Sequence, residues 1–190
     1  MVVSLNNSGG PVITALIIAV CTYIHFLGHG WAFALVDIPD SVWTLIAFQI
    51  THPTFEHLFG NMLFLLLFGP SCEEYLGHFR YLYFLIICGI VSAIGLVLVW
   101  PNAQIVGASG AIAGLIAIYP LVQKRWFMRI TSACLCLVYF WLQITYSIMD
   151  FKVMNIPGVA HFAHVLGGVV GLILYCICHR KNKVLPTTSA

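Results

Sequence analysis

The sequence predicts an all-α membrane protein, a bundle of six membrane-spanning helices whose first outer loop lies in the membrane interface. Three observations carry this. Of the 190 residues, 61% are hydrophobic and only 7% are charged, against roughly 25% charged in a soluble domain. The apolar residues fall into six segments that qualify, some of them marginally, against the ~20 residues that a spanning helix needs. Seven of the eight Lys and Arg residues lie on one side of the topology those segments define, as the positive-inside rule requires. The chain is long enough for one membrane domain, residues 11–179, preceded by a short cytoplasmic N-terminus, 1–10, and followed by a polar cytoplasmic tail, 180–190. A net charge of +2 without a basic run excludes nucleic-acid partners.

The first span is expected from about Pro11 to Gly28. The second starts near His57 and ends between Gly69 and Tyr75. The third is Phe79–Trp100, stopped by Pro101, since proline cannot continue a helix. The fourth runs from Ser109 to Val122, the fifth from Phe127 to Met149, and the sixth from Val159 to Cys178. The tail Lys181–Ala190 is polar and expected to be unstructured. Trp31–Leu35 and Val42–Ile50 are apolar but too short to span. Their aromatic residues, separated by Asp37, Pro39 and Asp40, suit a loop in the membrane interface.

With the N-terminus inside, the inner loops hold Arg80, Lys124, Arg125, Arg129, Arg180, Lys181 and Lys183, and the outer loops hold only Lys152. Both termini are then cytoplasmic. The N-terminus lacks a basic n-region and a small-residue cleavage site, so no signal peptide is expected. Seven cysteines, Cys21, Cys72, Cys88, Cys134, Cys136, Cys176 and Cys178, mostly fall in apolar spans and read as small packing residues. The C-x-C pairs would point their sulfurs to different helix faces, which makes a poor metal clamp. No metal and no cofactor are expected.

Polar residues in hydrocarbon are costly and mark function. In this topology helices two, four and six run outside to inside, and their polar residues share the outer end: His57 and Asn61 on helix two, Ser109 on helix four, His161 and His164 on helix six. Helix four has 14 residues, about 21 Å at 1.5 Å per residue, against a hydrocarbon core of about 30 Å. Ser109 therefore starts roughly 9 Å below the outer surface, and the loop Pro101–Gly107 dips into the membrane. Irregular backbone at that depth requires protein or water beside it, hence a wet cavity open to the outside.

Gly110-x-x-x-Gly114 on helix four and Gly167-x-x-x-Gly171 on helix six let two backbones approach closely. Gly167 and Gly171 share a face with His164, so Ser109 and His164 come within reach as nucleophile and base. His161, one turn away, is expected nearer the entrance. His57 and Asn61, at i and i+4, share a helix face. With the free N–H groups of Ser109 and its neighbours, they are candidate donors to an oxyanion. No carboxylate stands where it would orient the base, which favours a dyad over a triad, and Gln143 has no evident role. The other histidines, His25, His29, His52, His78 and His179, lie near span ends or in loops, where a solvated role suffices.

These residues resemble the rhomboid family of intramembrane serine proteases over nearly the whole chain. Gly107-Ala108-Ser109-Gly110 is similar to the family's Gly-x-Ser-Gly motif, and Ala163-His164-x-x-Gly167-x-x-x-Gly171 to its histidine helix. His57-x-x-x-Asn61 is similar to its second-helix motif, and Gly69-Pro70-x-x-Glu73-x-x-x-Gly77 to the turn after that helix, where the glutamate is structural. The resemblance implies a rhomboid-like six-helix bundle of bacterial type. It implies Ser109 as nucleophile, His164 as base, and His57, Asn61, Gly107 and Ser109 around the oxyanion. Glu73, Gly110, Gly114, Gly167 and Gly171 would have structural roles. It implies transmembrane protein substrates, a lipid bilayer as solvent, and a bacterial inner membrane with the site facing outward. The sequence departs from the family in two places: Val42-Trp43-Thr44 lacks the arginine that often follows the tryptophan, and Ala113 stands where some members place a tyrosine. A catalytically inactive client-binding relative and a transporter are the alternatives.

Overall fold

The computed structural model describes residues 10–29, 35–36, 43–101, 103–153 and 161–184. In chain order the elements are α1 (Val12–Phe26), β1 (Leu35–Val36), α2 (Thr44–Ala47), a 3-10 turn (Phe48–Ile50), α3 (Phe55–Leu76), α4 (His78–Val99), β2 (Gln104–Ile105), α5 (Ser109–Val122), α6 (Trp126–Val153) and α7 (His161–Val184). Among the described residues, three helices are long and apolar enough to cross a membrane, in α4, α6 and α7, and α1 and α5 are shorter apolar helices.

α5 is the central helix. Nearly every residue from Gly110 to Val122 is buried, because α3, α4, α6 and α7 all pack against it. The main core joins Leu58, Leu65 and Cys72 of α3, Leu85 and Cys88 of α4, and Ile112, Leu115 and Ile118 of α5. α1 leans on α3 and α6 on α7. The outward faces carry exposed Leu16, Leu66, Leu135, Leu137 and Trp141, which suits helices whose solvent is lipid.

α3, α5 and α7 run parallel. At their C-terminal ends Tyr75 stacks on Tyr175 and its hydroxyl lies 3.0 Å from His179 Nδ1, while Lys124 pairs with Glu74 at 2.8 Å. At their N-terminal ends lie His57, Ser109 and His164.

Several sequence expectations are corrected. Within the motif Gly69-Pro70-x-x-Glu73-x-x-x-Gly77 the turn falls at the last residue: α3 passes through Pro70 to Leu76, just beyond the expected end between Gly69 and Tyr75. Buried Gly69 lies against Thr14 and Tyr81, and the surrounding helices support the backbone around the proline. The turn is made by Gly77 alone, at φ 78°, a conformation that suits glycine at a helix end.

Glu73 is 1% exposed. Its carboxylate accepts from the N–H groups of Ile13 and Thr14, both at 2.8 Å, from Thr14 Oγ1 at 2.7 Å and from His78 Nδ1 at 2.6 Å. It thus caps the otherwise unsatisfied first turn of α1 from across the bundle.

Val42–Ile50 is not simply interfacial. Trp43 is exposed, but Phe48 and Gln49 are buried, and Gln49 lies against Gly89 of α4. An antiparallel pair, Leu35 opposite Ile105 and Val36 opposite Gln104, adds two short strands to a fold expected to be wholly helical. α6 runs four residues past Met149, and α7 continues to Val184. Trp31–Ala34, Asp37, Pro39, Asp40, Val159 and residues 185–190 lie outside the described residues.

Candidate active site

Ser109 is the first residue of α5 and is partly exposed. Its helix begins after Ala108, which offers no side-chain acceptor, and Ile112 N–H is bonded to Ala108 O at 2.9 Å. The earlier N–H groups of the first turn have no intrahelical partner and stand at the positive end of the helix dipole.

Gly107 shapes the approach to Ser109. Its φ of 96° favours glycine, and a Cβ there would lie 2.7 Å from His57 Cε1 and 2.8 Å from Nε2. Its N–H donates to Phe48 O at 2.8 Å, so Gly107 contributes shape and anchoring rather than a free donor. The smaller core of Phe48, Ala93, Leu96, Val97, Ile105 and Ala163 packs beneath this loop.

The backbones of α5 and α7 touch at two levels. A Cβ on Gly167 would collide with the Gly110 backbone, and one on Gly171 would lie 2.7 Å from Gly114 Cα. The Ala163 carbonyl is 4.0 Å from where a Gly110 Cβ would sit. Ser109 and His164 are thus the immediate neighbours of residues in contact. Among the described residues no hydrogen bond links Ser109 to His164. Such bonds are often long in a resting site and tighten with substrate.

On α3, Thr54 caps the helix by accepting from His57 N–H at 3.2 Å. Asn61 Nδ2 donates to His57 O at 2.9 Å, which leaves its second amide hydrogen for another acceptor. Asn61 Oδ1 is buried without a protein partner, as are both ring nitrogens of His52.

His52 is fully buried rather than solvated. Its ring packs edge-on to His57 with centroids 5.1 Å apart, and its carbonyl accepts from His25 Nδ1 at 2.7 Å. Burial, and then the neighbouring His57, push its imidazole down to about 4. His78 and His179 also hold specific bonds, to Glu73 and Tyr75.

His164 is buried at 9% exposure, and its Nδ1 lies 2.9 Å from Gln143 Oε1 on α6. His161 Nδ1 lies 2.9 Å from the same oxygen, and its ring stacks on Tyr146 at 5.0 Å. His161 therefore faces α6 rather than merely lining an entrance. Gln143 is the residue to which the sequence alone assigned no role. The available signal was an uncharged polar side chain amid Trp141, Leu142 and Ile144 on a lipid-facing helix. Among the described residues no cluster of three or more His, Cys, Asp or Glu could hold a metal.

The sequence profile described as "Rhomboid domain" matches residues 39–181. The chain is 30% identical over 151 residues to "Putative rhomboid protease YdcA" of Bacillus subtilis (strain 168), covering 74% of this chain and 69% of that protein. It is 32% identical over 133 residues to "Rhomboid-like protein 11, chloroplastic" of Arabidopsis thaliana, covering 65% of this chain and 48% of that one. It is 28% identical over 133 residues to "RHOMBOID-like protein 6, mitochondrial" of the same plant, covering 70% and 42%. The chain therefore spans less than half the length of either plant relative.

Proposed function

This chain belongs to the rhomboid family, and from that premise we propose that it is an intramembrane serine protease that hydrolyses peptide bonds in or near the transmembrane segments of other membrane proteins. The observation that carries this reading is the backbone contact between α5 and α7 at Gly110 and Gly167, beside Ser109 on one helix and His164 on the other. The printed name of the Bacillus relative, "Putative rhomboid protease YdcA", supports it.

In the proposed reaction His164 Nε2 takes the proton from Ser109 Oγ as the oxygen attacks the substrate carbonyl carbon. The negative charge moves to the carbonyl oxygen. The free N–H groups of the first turn of α5 stabilise it, with the second Asn61 amide hydrogen and the His57 ring as further donors. His164 then gives its proton to the departing amine as the C–N bond breaks, which leaves an ester on Ser109. A water molecule, deprotonated in turn by His164, hydrolyses that ester and restores the hydroxyl. Water reaches the ester at the end of the bundle where Ser109 is partly exposed. No metal or cofactor takes part.

Six helices, α1, α3, α4, α5, α6 and α7, would each cross the bilayer. We infer a bacterial cell membrane, with both termini cytoplasmic and the site opening to the outer face. Arg80, Lys124, Arg125 and Arg129 support that orientation, because they lie at the opposite end of the bundle from Ser109.

The test is cleavage of a transmembrane test substrate in liposomes. Ser109→Ala is expected to abolish cleavage while its unfolding midpoint stays within that of the wild type. Cleavage that persists in this variant rejects the reading.

A further inference from the structure

We propose that Gln143 is the positioning residue of the base: its side-chain oxygen accepts the Nδ1 proton of His164 and so leaves Nε2 bare to take the proton of Ser109. The inference rests on the protease reading above and adds to it a third residue that orients the histidine.

Gln143 stands in α6, between Leu142 and Ile144, both exposed on the lipid side. A primary amide at membrane depth is costly unless its polar atoms are matched. Its Oε1 lies 2.9 Å from Nδ1 of His164 and 2.9 Å from Nδ1 of His161. A carbonyl oxygen only accepts, so each ring must present Nδ1–H to it. A neutral imidazole carries one N–H, and the proton on Nδ1 puts the lone pair on Nε2.

His161 completes the arrangement. It occupies the second lone pair of Oε1, and Tyr146, three residues beyond Gln143 on α6, holds the His161 ring in a stack at 5.0 Å and 23°. The rings of His161 and His164 meet edge to face at 6.2 Å and 89°, so both converge on one oxygen without stacking on each other. A carboxylate in this place would require a buried charge to be compensated. The amide orients the ring without that cost.

Two variants and one spectroscopic reading test this in the full-length protein in detergent micelles. Gln143→Met keeps the length of the side chain and removes the acceptor. Gln143→Glu keeps an acceptor, since a neutral carboxyl group retains its carbonyl oxygen and an ionised one offers two oxygens. The methionine variant is expected to lose about 10²-fold in kcat with little change in KM. Its rate of labelling by a fluorophosphonate should fall in parallel. The glutamate variant is expected to recover most of that loss. In nitrogen-15 spectra of the imidazole side chains, His164 is expected to be the Nδ1–H tautomer in the wild type and in Gln143→Glu, and to shift toward Nε2–H in Gln143→Met.

A wild-type His164 protonated on Nε2 would overturn the proposal, because the amide would then present its NH2 group. So would a methionine variant with unchanged kcat. Should Gln143→Met not fold, the wild-type tautomer and the activity of Gln143→Glu decide: an Nε2–H ring or an inactive glutamate variant refutes it. The tautomer is read without turnover, so failure of the protease reading, marked by cleavage that survives Ser109→Ala, is distinguishable from failure of this one.

Discussion

Gly107 concentrates two constraints in one residue. Its φ of 96° is a conformation that L side chains rarely adopt, and the space where a Cβ would sit is filled by the His57 ring. A methyl group there strains the backbone and displaces one of the proposed oxyanion donors, two residues from Ser109. Gly107→Ala is expected to lower kcat by about 10²-fold, the typical cost of losing one such donor, while substrate binding to a Ser109→Ala background is unchanged. Steady-state cleavage in liposomes measures it, and wild-type turnover in the variant would contradict it. At this scale the sequence was legible where a residue type is rare in its surroundings. Ser109, His164, His57 and Asn61 stand out in an apolar chain. Gln143 stood out as well, but its meaning depended on a contact 18 and 21 residues away in sequence, and no spacing rule within one helix reports a contact between two.

At the scale of elements, the close approach of α5 and α7 depends on glycines whose missing side chains are replaced by neighbouring backbone. Backbone cannot step aside as the end of a flexible side chain can. Gly167→Ala sets a Cβ against the Gly110 backbone and is expected to cost about 1–3 kcal/mol of stability, the usual range for overpacking a tight core. It should also move His164 away from Ser109 and so lower activity. Gly60→Ala on α3 is the control, because a Cβ there meets nothing within 4 Å, and it is expected to leave both quantities unchanged. Unfolding midpoints in a denaturing detergent titration compare the two variants, and equal midpoints would count against the contact. The glycine spacing could be read from the sequence because Gly-x-x-x-Gly places two small residues on one helix face. The end of α3 could not: Gly69-Pro70 carries the signature of a break, yet helix-breaking residues are accommodated where neighbouring helices enclose the backbone. The turn itself falls at Gly77, the last residue of that motif.

Across the whole molecule, polar chemistry and positive charge occupy opposite ends of one bundle. α5 runs through the centre, begins at Ser109, and is shorter than a full span. On the approach to its N-terminus Phe48 packs with Ile105 and Ala163 and accepts from the N–H of Gly107. Composition made the membrane class readable, because a chain with so few charges has no aqueous alternative. The loop architecture was much less readable. Short aromatic stretches such as Val42–Ile50 have the same composition whether they lie in an interface or plug a bundle, and a two-residue strand pair leaves no periodic trace. The central claim is that Ser109 is an activated nucleophile. Its most direct measurement is treatment of the purified wild type, Ser109→Ala and His164→Ala with a fluorophosphonate, followed by mass spectrometry of the modified peptide. One adduct, on Ser109, formed by the wild type and by neither variant, is the expected result. A folded wild type that stays unlabelled, or an adduct that persists in Ser109→Ala, would contradict the account.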